Sequence, residues 1–170
     1  MQDCSSAHGA KAALVVICAL AITVLGCKEP SSGPATTESA SPAPISERWI
    51  EPQMGRRFTS AYVQRKDCKG HFDVVTRRYS GDPPGFEVEG WAWDVTAKKS
   101  ADRIIFVDTR DIIVGGGHGG SERPDVPDVV KEVTTKTSGW YGVVRAQGGL
   151  IEAYAILDGG DACPIGSMKL

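Results

Sequence analysis

The chain has 170 residues, of which 41% are hydrophobic and 24% charged, and its formal net charge is −2. This length suffices for one domain with a buried core. Acidic and basic residues are mixed along the chain, so the basic stripe that a nucleic-acid partner would need is not expected.

The first distinctive segment is an apolar run from Ala12 to Gly26. At ~1.5 Å per residue a helix of this length covers roughly 22 Å, which is less than the ~30 Å hydrocarbon core of a bilayer. The run is therefore interpreted as the apolar region of a signal segment, and an uncleaved short anchor is the alternative.

The apolar run ends in Val24-Leu25-Gly26-Cys27. Aliphatic or small residues directly before a cysteine resemble the lipobox of bacterial lipoproteins. In that family the cysteine is lipidated and everything before it is removed. The resemblance implies a signal peptide over 1–26 and a mature chain anchored to a membrane through several acyl chains on Cys27. It places the protein in the bacterial cell envelope, at the outer membrane or at the outer leaflet of the cytoplasmic membrane.

The next segment, residues 27–46, consists of the anchor cysteine and a stretch rich in Ser, Thr, Pro and Ala. It has no apolar periodicity, so it cannot bury enough surface to offset the entropy of ordering, and a disordered linker is predicted. Residues 47–170 are expected to form one domain, with its core between about 68 and 163.

The cysteines also bear on the compartment. Cys4 and Cys18 lie in the leader and Cys27 is expected to be lipidated, which leaves Cys68 and Cys163. An even pair in a protein that faces an oxidising space favours a disulfide, with two free buried thiols as the alternative. The bridge would close a loop of about 95 residues and contribute up to roughly 4.7 kcal/mol in the chain-entropy model.

Short strands separated by turn residues are predicted along the domain. They are 71–79, 86–95, 103–107, 112–114, 140–146 and 150–157, with one helical turn near 127–132. The third and fourth strands are expected to pair as a hairpin across 108–111, and the last two across 147–149. This spacing favours an all-β fold, a small antiparallel β-sandwich.

Three short segments carry a second resemblance: Gly90-Trp91-Ala92-Trp93-Asp94, Arg123-Pro124-Asp125-Val126 and Ser138-Gly139-Trp140. They are similar to a small β-sandwich module appended to membrane proteins of bacterial surface-polysaccharide pathways, over about residues 88–157. The resemblance implies a sandwich fold and an envelope setting, and it supplies no catalytic residues. The insertion of glycines and a histidine after Val114 departs from the module's pattern.

The best candidate for a ligand surface is the second predicted strand. Trp91 and Trp93 lie two apart, so regular pleating places both on one face, which Glu87 and Glu89 share. Exposed indoles beside carboxylates suit sugar rings, because the C–H faces of a sugar pack on π systems and its hydroxyls seek acceptors. Alternatively, Gly90 marks a bulge and both indoles turn into the core.

Trp140 and Tyr141 are further candidates for the same surface. The sequence thus predicts a lipid-anchored envelope protein that binds or scaffolds and has no catalytic activity. A glycan is one expected partner. Another envelope protein, bound through the same aromatic residues or a sheet edge, is the alternative.

Gly115–Gly120 places five glycines around His118 and is predicted to be a flexible surface loop, with an anion-binding nest or metal loop as the alternative. His71 is the only other histidine after Cys27, which is too few for a zinc site. No calcium-loop or nucleotide-binding pattern occurs, so neither a metal nor a cofactor is expected. Arg123 and Asp125 are expected to hold a turn together. Without a nucleophile-elbow pattern, an enzyme is the third and weakest reading.

Overall fold

A computed structural model describes residues 47–65, 67–79 and 84–170. The predictions for the leader, Cys27 and the linker lie outside the described residues. The described elements are, in chain order, a 3₁₀ helix Glu51–Gln53, β1 Cys68–Tyr79, β2 Gly85–Asp94, β3 Lys99–Ser100, β4 Arg103–Asp108, β5 Ile113–Ser121, α1 Val126–Val129, β6 Gly139–Val144, β7 Leu150–Ile156 and β8 Ala162–Lys169. Within these ranges no helix is both long and apolar enough to cross a membrane.

The strands form one antiparallel sheet in the order β1-β2-β6-β5-β4-β7-β8, and the short β3 pairs with β2. The prediction of an all-β antiparallel domain is confirmed. The predicted hairpin between the third and fourth strands is also confirmed, because β4 pairs with β5.

The second predicted hairpin is wrong. Strand β6 lies between β2 and β5, whereas β7 lies between β4 and β8. The connection between β6 and β7 contains Gly148 and Gly149, both at positive φ. The backbone of Gly149 exchanges hydrogen bonds of 3.2 and 2.8 Å with that of Leu170, so the chain here joins the end of β8 instead of returning beside β6.

The sheet encloses an inner core to which all seven strands of its main path contribute side chains. The rings of Phe72, Phe106 and Trp140 meet at the centre, with centroids 5.4–5.8 Å apart. These aromatic side chains come from β1, β4 and β6, so the core joins strands that are not neighbours in the sheet.

The two end strands, β1 and β8, lie against each other and are joined by a disulfide. Cys68 and Cys163 form this bridge, with their Cα atoms 6.2 Å apart, and the predicted pairing is confirmed. At Gly70 an added Cβ would lie 2.6 Å from the Cβ of Ile165, so the strands approach too closely here for any larger residue. The sheet therefore curls until its first and last strands meet.

Two segments cover parts of the outer face of the sheet. Residues 47–64, which we name the N-terminal cover, place Ile50 and Phe58 on the outer side chains of β4, β5 and β7. Backbone hydrogen bonds hold this cover to the β4–β5 hairpin; one, from Phe58 N to Asp111 O, is 2.9 Å long. Residues 122–138, the β5–β6 loop, lie over the end of β2 and pack Val126 and Val133 on Trp93.

The prediction of a flexible loop at Gly115–Gly120 is wrong, because these residues belong to β5. The glycines are needed where neighbouring groups come close. A Cβ at Gly116 would lie 2.7 Å from the side chain of Ile50, and one at Gly115 would lie 2.2 Å from the carbonyl oxygen of Val143. Their lack of side chains thus lets the N-terminal cover and β6 approach β5.

Candidate functional site

Strand β2 is regular along its pairing with β6, from Phe86 opposite Val144 to Trp91 opposite Gly139. The irregularities lie in β1, where the register with β2 shifts after Phe72 and again after Val75. The outer face of β2 therefore carries both tryptophans together with Glu87 and Glu89, and the alternative of a bulge in β2 at Gly90 is wrong.

Gly90 has a different role, which is to make room for Trp140. A Cβ at Gly90 would lie 2.3 Å from the indole of Trp140, the residue opposite it on β6. The indole fills this space on the inner face and is only 1% exposed. The expectation that Trp140 belongs to a ligand surface is therefore wrong, because its side chain is part of the inner core.

Trp93 is also unavailable to a ligand, although it lies on the outer face. The β5–β6 loop places Val126 and Val133 over it, and its indole is 2% exposed. The sequence did not reveal this cover, because a four-residue helix within a loop has too short an apolar pattern to predict its packing. Of the two tryptophans predicted to form an exposed platform, only Trp91 is thus accessible to a ligand.

Trp91 is only half-buried and lines a pocket of about 250 Å³. The apolar wall is completed by three valines of the β5–β6 loop: Val126, Val129 and Val130. Val129 is 82% exposed at the edge of this wall. The polar part of the lining comes from His71 of β1 and from Arg123 and Asp125 of the loop. The pocket thus lies between an indole on the sheet and a valine shelf on the loop.

The polar side of the pocket is organised by Arg123. Its Nε and Nη2 donate hydrogen bonds of 2.9 and 2.7 Å to the two carboxylate oxygens of Asp125, and its Nη1 donates to Asp73. The contact between Arg123 and Asp125 was predicted, but the contribution of Asp73 was missed. Asp73 lies at the first register shift of β1, and nothing in the sequence signals such a shift.

These contacts fix the charges at the pocket. Hydrogen bonds to Asp125 and then to Asp73 raise the pKa of Arg123 above its ordinary value, and the bond from Arg123 lowers the pKa of Asp125. One guanidinium is therefore shared by two carboxylates, and Oδ1 of Asp73 also lies 3.9 Å from Nε2 of His71.

The remaining predicted residues extend the outer face away from the pocket. Tyr141 lies opposite Glu89 in the β2–β6 pairing. Burial and the negative charge of nearby Glu87 raise the pKa of Tyr141. The Glu87 side chain is only 16% exposed and its Oε1 lies 3.8 Å from Nη2 of Arg77, whereas Glu89 is exposed. Glu89 and Tyr141 are thus the polar groups best placed to extend contacts beyond Trp91.

His118, at the centre of the glycine-rich strand, lies on the outer face. Its Nδ1 is 2.9 Å from Oε1 of Glu47, and its ring centroid is 6.1 Å from that of Tyr141. Among residues 47–65, 67–79 and 84–170, no three His, Cys, Asp or Glu side chains come together in a way that could hold a metal ion. The contact of His118 with Glu47 joins the N-terminal cover to the sheet.

Comparison of this chain with protein-family models, with characterised proteins and with solved structures finds no match. The geometry of the pocket beside Trp91 is therefore the basis for inferring a function.

Proposed function

We propose that this protein is a lipid-anchored component of the bacterial envelope that binds a glycan and has no catalytic activity of its own. The observation that carries the proposal is the half-buried indole of Trp91, which lines a pocket with a valine shelf and hydrogen-bonding groups from Arg123, Asp125 and His71. An aromatic wall beside such groups is the combination that a sugar ring requires.

The size of the pocket supports a single sugar unit at its centre. Pockets for drug-sized ligands typically measure about 300–1,000 Å³, and this pocket, at about 250 Å³, is slightly smaller. A longer glycan would continue along the outer face toward Glu89 and Tyr141. Binding at one ring would be weak, and many anchored copies on one membrane would strengthen it by avidity.

Isothermal titration of envelope glycans against the wild type and Trp91→Ala tests the proposal. The wild type should bind, and Trp91→Ala should lose most of its affinity, since an aromatic contact contributes about 0.5–1.5 kcal/mol beyond its buried area. Tyr62→Ala is the matched control, because Tyr62 is a partly buried aromatic residue of the N-terminal cover, outside the pocket. Equal binding by all three proteins, or no binding by the wild type, would contradict a glycan function.

The lipid anchor rests on the sequence Val24-Leu25-Gly26-Cys27. Replacing Cys27 by Ser should release the protein from membranes or stop its processing. Intact-mass measurement of the wild type should find acyl chains on Cys27 and no residues before it. An unacylated protein that retains residues 1–26 would contradict the anchor.

We also infer that the curled sheet is arranged as two facing layers, which is the β-sandwich that the sequence predicts. Side chains of β1, β2 and β6 share one core cluster with those of β4, β7 and β8, as two facing layers would require. One such contact is between Phe72 and Phe106, whose ring centroids are 5.8 Å apart.

A protein partner is the second candidate, and the exposure of Val129 at the edge of the pocket favours it. Docking by strand addition at β1 has less support, because β1 lies against β8 and is joined to it by the disulfide. The two register shifts within β1 further distort that edge. A partner would therefore be expected at the valine shelf, where Val129→Asp should abolish its binding.

A further inference from the structure

The charge of the pocket restricts the class of sugar that it can take. Among the described residues, Arg123 is the only arginine or lysine that lines it, and the two carboxylates of Asp73 and Asp125 share that guanidinium. An acidic sugar would bring a third carboxylate close to these two, and like charges at short range repel. The pocket is therefore suited to a neutral sugar.

The valine shelf restricts the class further. When the apolar C–H face of a sugar ring packs on Trp91, the hydroxyls and other substituents at the edge of the ring must contact the rest of the pocket lining. Beside Trp91 the pocket offers Val126, Val129 and Val130, which cannot hydrogen-bond through their side chains. A plain hexose would place a hydroxyl against the buried Val126 and the half-buried Val130, where it would find no side-chain partner and would lose contact with water, which is unfavourable.

An acetamido substituent has the chemistry that this arrangement requires. Its methyl group would pack on the valines, and its carbonyl oxygen would accept a hydrogen bond. Arg123 uses three of its five N–H groups on Asp73 and Asp125, so its donor capacity exceeds these contacts. The amide N–H would have a carboxylate oxygen of Asp125 as an acceptor.

We propose that the pocket beside Trp91 recognises a neutral N-acetylated hexosamine, with its ring on the indole and its acetyl methyl on the valine shelf. This inference rests on the proposed glycan-binding function. It adds that the acetamido group, and not only the sugar ring, is recognised.

The test is isothermal titration of the full chain with three β-1,4-linked tetrasaccharides, built from N-acetylglucosamine, from glucose and from a uronic acid. The acetylated tetramer should bind at least about fourfold more tightly than the glucose tetramer, the factor that corresponds to burial of one methyl group at ~0.8 kcal/mol. The uronate tetramer should show no binding.

Val129→Ser separates the acetyl contact from the ring contact. Val129 is 82% exposed, so the substitution should leave the fold intact. It should reduce the affinity for the acetylated tetramer more than the affinity for the glucose tetramer, so the difference between the two should narrow. Val74→Ser, at an exposed valine of β1 that does not line the pocket, is the matched control and should change neither affinity.

The outcomes distinguish the two proposals. If acetylated and glucose tetramers bind equally and both depend on Trp91, the acetamido inference is overturned and the glycan function stands. Binding of the uronate tetramer as tightly as the acetylated one would overturn the charge argument. If no tetramer binds to the wild type, both the inference and the glycan function fail for these sugars.

Discussion

The N-terminal cover and the β5–β6 loop both lie on the outer face of the same sheet, but they bury that face to different extents. Under the N-terminal cover, Ile105 and Ile113 of the sheet are at most 1% exposed. Under the loop, Trp93 is equally buried, yet Trp91, two residues away, is only half covered. The difference follows from the side chains that each segment supplies.

The N-terminal cover inserts a phenylalanine and an isoleucine. Gly116 beneath the cover has no side chain that would displace the isoleucine, Ile50. The β5–β6 loop supplies only valines to the indoles, and one of the valines at the pocket, Val129, is 82% exposed. Valine is too short to fill the space beside an indole, so a pocket remains. Complete coverage is expected to stabilise the fold, and incomplete coverage to leave a surface free for a ligand.

The largest expected effect is at the completely covered region. Phe58→Ala removes a buried ring that contacts Tyr154 at a centroid distance of 4.2 Å. It should reduce the free energy of unfolding by about 3–5 kcal/mol, the usual cost of truncating a buried aromatic side chain. Chemical denaturation measures this change, and Val63→Ala, at a residue 70% exposed in the same segment, should stay within about 0.5 kcal/mol of the wild type. A small effect of Phe58→Ala would show that the cover is not part of the folded core.

The disulfide joins the strands beneath the two segments. Cys68 begins β1, two residues before Gly70 of the pocket lining. Cys163 follows Ala162, whose N and O atoms form backbone hydrogen bonds of 2.8 Å with Val63 of the N-terminal cover and with Arg65 just after it. Replacing both cysteines by alanine should cost about 2–5 kcal/mol, chiefly because the unfolded chain loses a cross-link of 95 residues.

Thermal unfolding of the oxidised wild type, the reduced wild type and the double variant measures this contribution. Reduction should lower the melting temperature of the wild type to near that of the variant and leave the variant unchanged. Equal melting temperatures for oxidised and reduced wild type would contradict a stabilising bridge.

The sequence predicted most of the strands of this molecule but missed β8 and most of β5, together with other features that depend on distant contacts. Strand positions followed from turn residues and alternation, which are local properties. The glycines of β5 were interpreted as a loop, because no sequence pattern shows that Ile50 and the backbone of β6 approach that strand.

The candidate site was predicted only in part for the same reason. The shared face of Trp91 and Trp93 follows from the period of a strand. Which of the two is covered depends on the β5–β6 loop, which is distant in sequence and has little secondary structure of its own.

The smallest expected effect concerns the ion pair that holds the incompletely covered region. The bond from Arg123 keeps the pKa of Asp125 below its ordinary value of 3.8. A carboxylate with a lowered pKa in the folded state stabilises that state fully above its ordinary pKa, and the stabilisation is lost as the pH falls through the folded pKa. Asp125→Asn should therefore lower the melting temperature slightly at pH 7, and the difference from the wild type should begin to shrink as the pH falls below about 4 and the carboxylate becomes protonated. Melting curves between pH 3 and 7 measure it, with Asp128→Asn as the control on the same loop. A difference between Asp125→Asn and the wild type that is the same at pH 3 and pH 7 would mean that Asp125 acts through packing and not through its charge.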